Sequence, residues 1–263
     1  MKDRYTDRRI YFEELAQTSR EYISGYISEH IGIRPDSRVM EIGCGEGGNL
    51  LPFAEIGCEV CGIDISIGKI TNAKRFFGEK GMKGEFICSD FIRFDIGPHI
   101  GKYDIIIMHD VIEHIEPEDK DEFILRTKEL LKPSGVVMAG FPSWQMPFGG
   151  HQQICSNPIC RLPFIHLLPE RWYMGYLKMC KENEGKMNEL SSIRRSRMSI
   201  EGFEALCSRA GLNIQDRTLW LINPHYKAKF GLLPMRLPGC LSFSRWLRNH
   251  LSTSCCYILT AVL

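Results

Sequence analysis

A chain of 263 residues, 44% hydrophobic and 25% charged, can bury one substantial core and has the make-up of neither a disordered nor a fibrous protein. Its formal net charge of +1 says little about partners. Eleven scattered cysteines, an odd count, and an amino terminus "MKDRYTDRRI" without an apolar signal core exclude a small disulfide-built secreted protein and point to a reducing cytoplasm.

From Arg9 to about Ile31, Tyr11, Leu15, Tyr22, Ile23, Tyr26, Ile27 and Ile31 recur at helical spacings. This predicts an amphipathic helix within an N-terminal helical segment, residues 1–35, packed across the domain. Between 36 and 142, strands are expected near 38–42, 59–63, 85–88, 103–108 and 135–141, with helices starting near Gly47, Ser66 and Glu118. That alternation implies an α/β fold with a mostly parallel, doubly wound, Rossmann-like sheet. From 142 to 197 the alternation breaks into aromatics, Gly-Gly, prolines and the basic run "SSIRRSR", which reads as a helical lid insertion. A helix near 199–210 and a strand near 212–221 restore it within the C-terminal part, 198–263, which a second insertion at 223–250 interrupts. The last stretch, "LSTSCCYILTAVL", falls well short of the roughly 20 residues of a membrane span and reads as a buried strand.

The turn in "VMEIGCGEGGNL" carries the first chemistry. Gly43, Gly45 and Gly48 satisfy the dinucleotide pattern G-x-G-x-x-G, while Gly43, Gly45 and Gly47 satisfy a tighter G-x-G-x-G. Asp64 closes the second strand 21 positions after Gly43, where a carboxylate can accept from both hydroxyls of a ribose. NAD and S-adenosylmethionine share that ribose, so Asp64 does not separate them. Glu41 does, because a carboxylate two residues before the first glycine opposes a pyrophosphate and suits an ammonium group.

With "GIDIS", "CSDF", "YDIIIMHDVIEHI" and "LLKPSGVVMAGFPS" following "EIGCGEG" in order, residues 36–142 resemble the class I S-adenosylmethionine-dependent methyltransferases. The likeness is greatest to the small-molecule branch called type 11, which includes the ubiquinone-biosynthesis O-methyltransferases. The resemblance implies that Glu41 contacts the amino acid end of S-adenosylmethionine and that Gly43, Gly45 and Gly47 admit the cofactor close to the backbone. It also implies that Asp64 binds the ribose with Ile65 against the adenine, and that Asp90 accepts from the adenine amino group between Ser89 and Phe91. His109 and Asp110 would line the methionine side. The family's fold adds a seventh, antiparallel strand, for which "CCYILTAVL" is the candidate.

Methyl transfer needs placement of a nucleophile above all, and a base where the acceptor carries a proton. Glu113 and His114, just past the fourth strand, and His151, after two glycines in a lid loop that could swing over the cofactor, are the candidate catalytic groups, and Gln152 and Gln153 could recognise a polar substrate. Each could equally cap, pack or sit at the surface. His151, Cys155, Cys160 and His166 have zinc-ligand residue types at spacings unlike those of structural zinc pairs, and Cys58-x-x-Cys61 falls in a strand whose alternate faces keep the two thiols apart, so no metal is expected.

Trp144, Phe148, Phe164, Trp172, Tyr173 and Tyr176 could wall an acceptor pocket or form the lid's own core. Lys178, Lys181, Lys186, Arg194, Arg195 and Arg197, with further cations after Asp216, suggest a basic rim facing an anionic small molecule, a membrane surface touched by "FSRWLRNHL", or RNA. The expectation is O-methylation of a small, aromatic or lipid-like acceptor in the cytoplasm, with no nucleic acid partner. RNA methylation and a non-catalytic cofactor-binding scaffold stand as alternatives, ahead of an NAD-dependent oxidoreductase.

Overall fold

The computed structural model describes residues 7–262; the first six residues of the N-terminal segment and the last residue of the expected carboxyl-terminal strand lie outside the described residues. Helix α1 (Arg8–Thr18) is capped by Asp7, whose carboxylate accepts from the Arg9 N–H, and it continues through a π turn (Ser19–Ile23) into Ser24–Ser28. Its buried stripe of Phe12, Ala16, Ile23 and Ile27 packs it across the sheet. The π turn presents Ser19, whose hydroxyl donates to the Asn49 carbonyl at 2.8 Å, so the helix grips the glycine turn it covers.

Strands β1 (Arg38–Ile42), β2 (Glu59–Asp64), β3 (Glu85–Cys88), β4 (Tyr103–His109) and β5 (Leu131–Phe141) are mutually parallel. Helices α2 (Leu51–Ile56), α3 (Ile67–Glu79) and α4 (Lys120–Glu129) connect them. The expected helix start at Gly47 is instead a left-handed cap on a short 3-10 turn, Gly48–Leu50, and α2 begins after it.

The order β3-β2-β1-β4-β5-β8-β6-β7 reverses direction between β1 and β4, which opens a crevice at the carboxyl ends of those strands. β8 (Ser254–Ala261) lies antiparallel between β5 and β6 (Leu212–Ile222), as the "CCYILTAVL" reading expects. An eighth strand beyond the seven expected, β7 (Met235–Arg236), is two residues long and sits on the β6 edge inside the 223–250 insertion.

Strands buried on both faces carry near-continuous apolar sequence, and alternation divides the core in two. Met40, Ile42, Ile106 and Met108 face α4 and α7 (Ile200–Arg209), whereas Val39, Ile105, Ile107 and Met138 face α1, α2 and α3. Cys61 and Cys255 belong to the first cluster and Cys58 and Cys256 to the second, so neither pair can share a ligand. All eleven cysteines are free thiols.

The lid holds three short 3-10 turns and helices α5 (Glu170–Met179) and α6 (Glu184–Ser196) around its own small core of Cys155, Cys160, Tyr173, Leu177, Met187 and Leu190. Of the lid aromatics, Tyr173 joins that core while Trp172 stands exposed. The basic run is a fastening rather than a rim. Arg194 is buried and donates to the His166 and Leu168 carbonyls, and Arg195 and Ser192 both bond Glu116 in the loop after β4. The two lid glycines are closely seated, since a Cβ on Gly149 would stand 2.3 Å from the Trp144 carbonyl oxygen and one on Gly150 2.3 Å from the His166 Cβ. No helix among the described residues is long and apolar enough to cross a membrane.

Candidate active site

The turn after β1 holds Gly43, Gly45 and Gly47 at positive φ, where side chains are strained. A Cβ on Gly43 would stand 2.4 Å from a Val111 methyl, so glycine lets the β1 and β4 loops meet. Gly45 faces open space, the floor of a crevice. Gly47 does not line that crevice; the room its missing Cβ leaves is taken by Phe86 and Phe77.

Two adjoining cavities of about 450 and 430 Å³ fill the crevice and share Gly43, Lys69, Asp110, His114 and Glu189. The first is walled by Tyr11, Glu41, Gly45, Asn49 and His109. The second is walled by Asp64, Ile65, Ser89, Asp90 and Phe91. Of the eleven residues expected around a cofactor, all but Gly47 therefore line one continuous cleft. Tyr11, Leu15, Asn49, Lys69 and Glu189 also line it and went unread, because Tyr11 and Leu15 look like an ordinary helix stripe and the others belong to no motif.

Glu41 is buried on the cleft floor. One carboxylate oxygen accepts from Asn49 Nδ2 at 2.7 Å, and the other, also buried, has no partner. Burial pushes its pKa up to about 8, against the pull of Asn49 and of His109. Such an orphaned carboxylate oxygen beside an open glycine floor fits the ammonium of an amino acid group and not a pyrophosphate. Asp64 divides its carboxylate between the Gly45 N–H at 2.9 Å and the Ser66 N–H at 2.8 Å, joining the first two loops, with Lys69 Nζ at 3.7 Å. Each oxygen keeps a further lone pair for a ribose hydroxyl. Asp90 accepts from the Ile92 N–H at 3.0 Å and is half-exposed to the cleft, beside the exposed Ile65.

At the end of β4, His109 Nδ1 lies 3.4 Å from Asp110, with its ring flat against Gly140, where a Cβ would stand 2.7 Å from the ring. Burial opposes the imidazolium, but the Asp110 and Glu41 carboxylates outweigh it and raise the His109 pKa. Asp110 itself sits at positive φ, as does His151 across the cleft end, the kind of backbone strain that clusters at functional sites.

Glu113, His114 and His151 meet. His151 Nε2 is 3.9 Å and His114 Nε2 4.0 Å from Glu113 Oε1, and the two imidazoles pack edge to face at 4.9 Å. Both Glu113 oxygens are buried without a hydrogen bond, and burial with the neighbouring Asp110 charge raises its pKa well above the carboxylate range. Burial lowers His114 to about 4 and lowers His151 as well. Only His114 reaches the cleft wall; Glu113 and His151 stand behind it. The donors of the three lie within 4.8 Å of one another, an arrangement that could also hold a divalent cation. Cys155, Cys160 and His166 are not part of it: His166 Nε2 bonds the Trp144 carbonyl at 2.8 Å. Gln152, expected as a substrate contact, is buried and donates to the Pro147 and Leu162 carbonyls.

This fold, with a left-handed glycine turn over a buried glutamate and a carboxylate ending β2, is shared with solved S-adenosylmethionine-dependent methyltransferases. Residues 39–135 of the chain match the family described as a methyltransferase domain. A ubiquinone biosynthesis O-methyltransferase of Escherichia coli is 27% identical over 135 residues, 49% of this chain and 55% of that one. The chain spans about half the length of the curated relatives it matches. Among solved structures, a protein of Pyrococcus horikoshii superposes with a TM-score of 0.60 at 16% identity, covering 94% of this chain and 91% of its own. The magnesium protoporphyrin IX methyltransferase of Synechocystis, solved with bound S-adenosylhomocysteine, superposes at 0.55 and 14% identity, covering 95% and 84%.

Proposed function

We propose that this protein transfers a methyl group from S-adenosylmethionine to the oxygen of a small hydroxylated acceptor, in keeping with the O-methyltransferase relatives. The observation that carries the reading is the unpartnered, buried Glu41 oxygen on the floor of the glycine cleft. Glu41 would hold the cofactor's ammonium, Asp64 its ribose, and Asp90 with Ile65 and Phe91 its adenine. Bound there, S-adenosylmethionine supplies an electrophilic methyl group.

His114 supports oxygen as the acceptor atom. Held neutral by burial, at the wall shared by both cavities, it can take the proton of an acceptor hydroxyl, with the His151 ring packed edge to face against it and Glu113 behind. Nothing comparable is needed for an amine that arrives unprotonated. Several of the cations expected to form a rim pair with neighbouring carboxylates, Arg195 with Glu116, Arg217 with Glu204, Lys227 with Glu21, and Arg245 and Arg248 with Glu201, while Lys178 and Lys181 stand exposed. This favours a small acceptor over RNA.

The test is transfer of labelled methyl from S-adenosylmethionine to a panel of phenols, catechols and lipid-like alcohols. His114→Ala should lower turnover by about 10² to 10⁴ with cofactor affinity kept. Undiminished turnover on a hydroxyl acceptor would remove the base from the mechanism, and turnover confined to amines would remove O-methylation.

A further inference from the structure

The lid contains a second cluster of donors, away from the cleft. Cys155, Cys160 and Glu182 are all buried, and two thiols and a carboxylate oxygen from them lie within 4.8 Å of one another. Cys180, half-buried at the end of α5, packs against the same lid core as Cys155 and Cys160. The chain spacing hides the group, since Cys155 and Cys160 sit in the 3-10 turns whereas Cys180 and Glu182 belong to the α5–α6 connection. Folding those turns against that connection brings them together. None of the four lines the cleft or touches the Glu113, His114 and His151 cluster.

Two further features fit a cation there. Glu182 is fixed from behind, its Oε2 accepting from the Ser156 and Asn157 N–H groups at 2.6 and 3.2 Å and its Oε1 from the Asn183 N–H at 3.2 Å. Oε1 retains a lone pair, with Lys186 Nζ 3.9 Å away. The Tyr173 hydroxyl is fully buried in the same cluster as Cys155 and Cys160 and has no hydrogen-bond partner. A neutral thiol is a poor acceptor for it, whereas a metal-bound thiolate is a good one, and donors of this kind commonly support metal ligands. The lid also needs fastening within itself. Its own core comprises six buried side chains, and units with so little buried surface are commonly stapled by disulfides or metals.

We propose that Cys155, Cys160, Cys180 and Glu182 form a closed, four-ligand structural zinc site that staples the lid turns to the α5–α6 connection. Three thiolates and one carboxylate oxygen fill a tetrahedral zinc shell without an open position, so the site holds structure and performs no chemistry. Binding releases the thiol protons, so zinc affinity rises with pH.

The experiment uses the full chain, purified under reducing conditions. Metal content is measured by mass spectrometry, and cobalt(II) is titrated into chelator-stripped protein. The expected result is one zinc per chain and, with cobalt, the intense thiolate-to-metal charge-transfer absorption that oxygen and nitrogen ligands do not produce. Cys160→Ser should abolish that band and weaken zinc binding at least about tenfold, while His114→Ala and the exposed-thiol variant Cys240→Ser keep both. Should Cys160→Ser fail to fold, the wild type suffices: zinc should protect residues 142–197 from limited proteolysis relative to the stripped protein. Absence of a charge-transfer band from reduced, folded protein would overturn the proposal, as would a band that survives loss of Cys160. A Cys160–Cys180 disulfide in metal-free protein isolated without reductant would replace it with a covalent staple.

Discussion

At the scale of single residues, two features of the cleft make opposite demands on the chain. Glu41 is stabilised on its floor as the neutral acid, with a pKa near 8 against an ordinary 4.5. Between those values the folded protein carries a proton that the unfolded chain has lost, so stability falls as pH rises through the window. Thermal denaturation from mildly acidic to mildly alkaline pH should show that fall, and Glu41→Gln, which cannot ionise, should flatten it. An unchanged slope in the variant would mean that Glu41 is ionised in the folded protein. The glycines divide in a different way. Gly43→Ala meets both a left-handed φ and a Val111 methyl and should cost more than the roughly 1–2 kcal/mol of conformational strain alone. Gly45→Ala bears only the strain but puts a methyl into the cleft, so it should lose S-adenosylhomocysteine affinity out of proportion to its stability. Denaturation and binding curves of the two variants check this, and equal losses of stability with equal binding would contradict it.

At the scale of elements, α1 and the lid each close the sheet's open end with a few specific contacts. Arg8 pairs with the buried Glu46 at 2.7 and 2.8 Å, fixing α1 on the glycine turn. On the lid, Arg194→Ala should destabilise by about 2–4 kcal/mol, because two carbonyls that it serves lose a charged donor. Chemical denaturation gives that number, and a loss below about 0.5 kcal/mol would show that water replaces the guanidinium. The elements also mark what was legible beforehand. The β1, β2 and β4 strands and the glycine turn were readable because short continuous apolar runs ending in glycine or a carboxylate have few other meanings. The lid was not. "SSIRRSR" reads as surface charge until α6 places Arg194 beneath two carbonyls, and only the folded neighbours show that Gly149 and Gly150 are tightly seated. Likewise Glu113 and His151 lie 38 positions apart, and only the docked lid makes them neighbours. The zinc-type residues His166 and Cys155 were set beside each other by sequence, but the fold gives them different partners.

At the scale of the whole molecule, one sheet supports two chemically distinct zones. The strand ends present a cleft with Glu41 and Asp64 in its walls, and the lid contributes His151 to the cluster behind one wall. The 223–250 insertion carries Phe230, Leu233, Phe243 and Trp246 exposed. The domain match spans residues 39–135 and includes neither the lid nor this insertion. The central claim nevertheless rests on the cleft and on a single carboxyl group within it. It is tested most directly by calorimetric titration of the full chain with S-adenosylhomocysteine and, separately, with NADH, using Glu41→Gln as the control. The predicted result is one S-adenosylhomocysteine per chain, weakened about 10- to 100-fold in the variant by loss of a charge-assisted hydrogen bond, and no NADH binding. Folded protein that binds NADH, or that ignores S-adenosylhomocysteine, would contradict it.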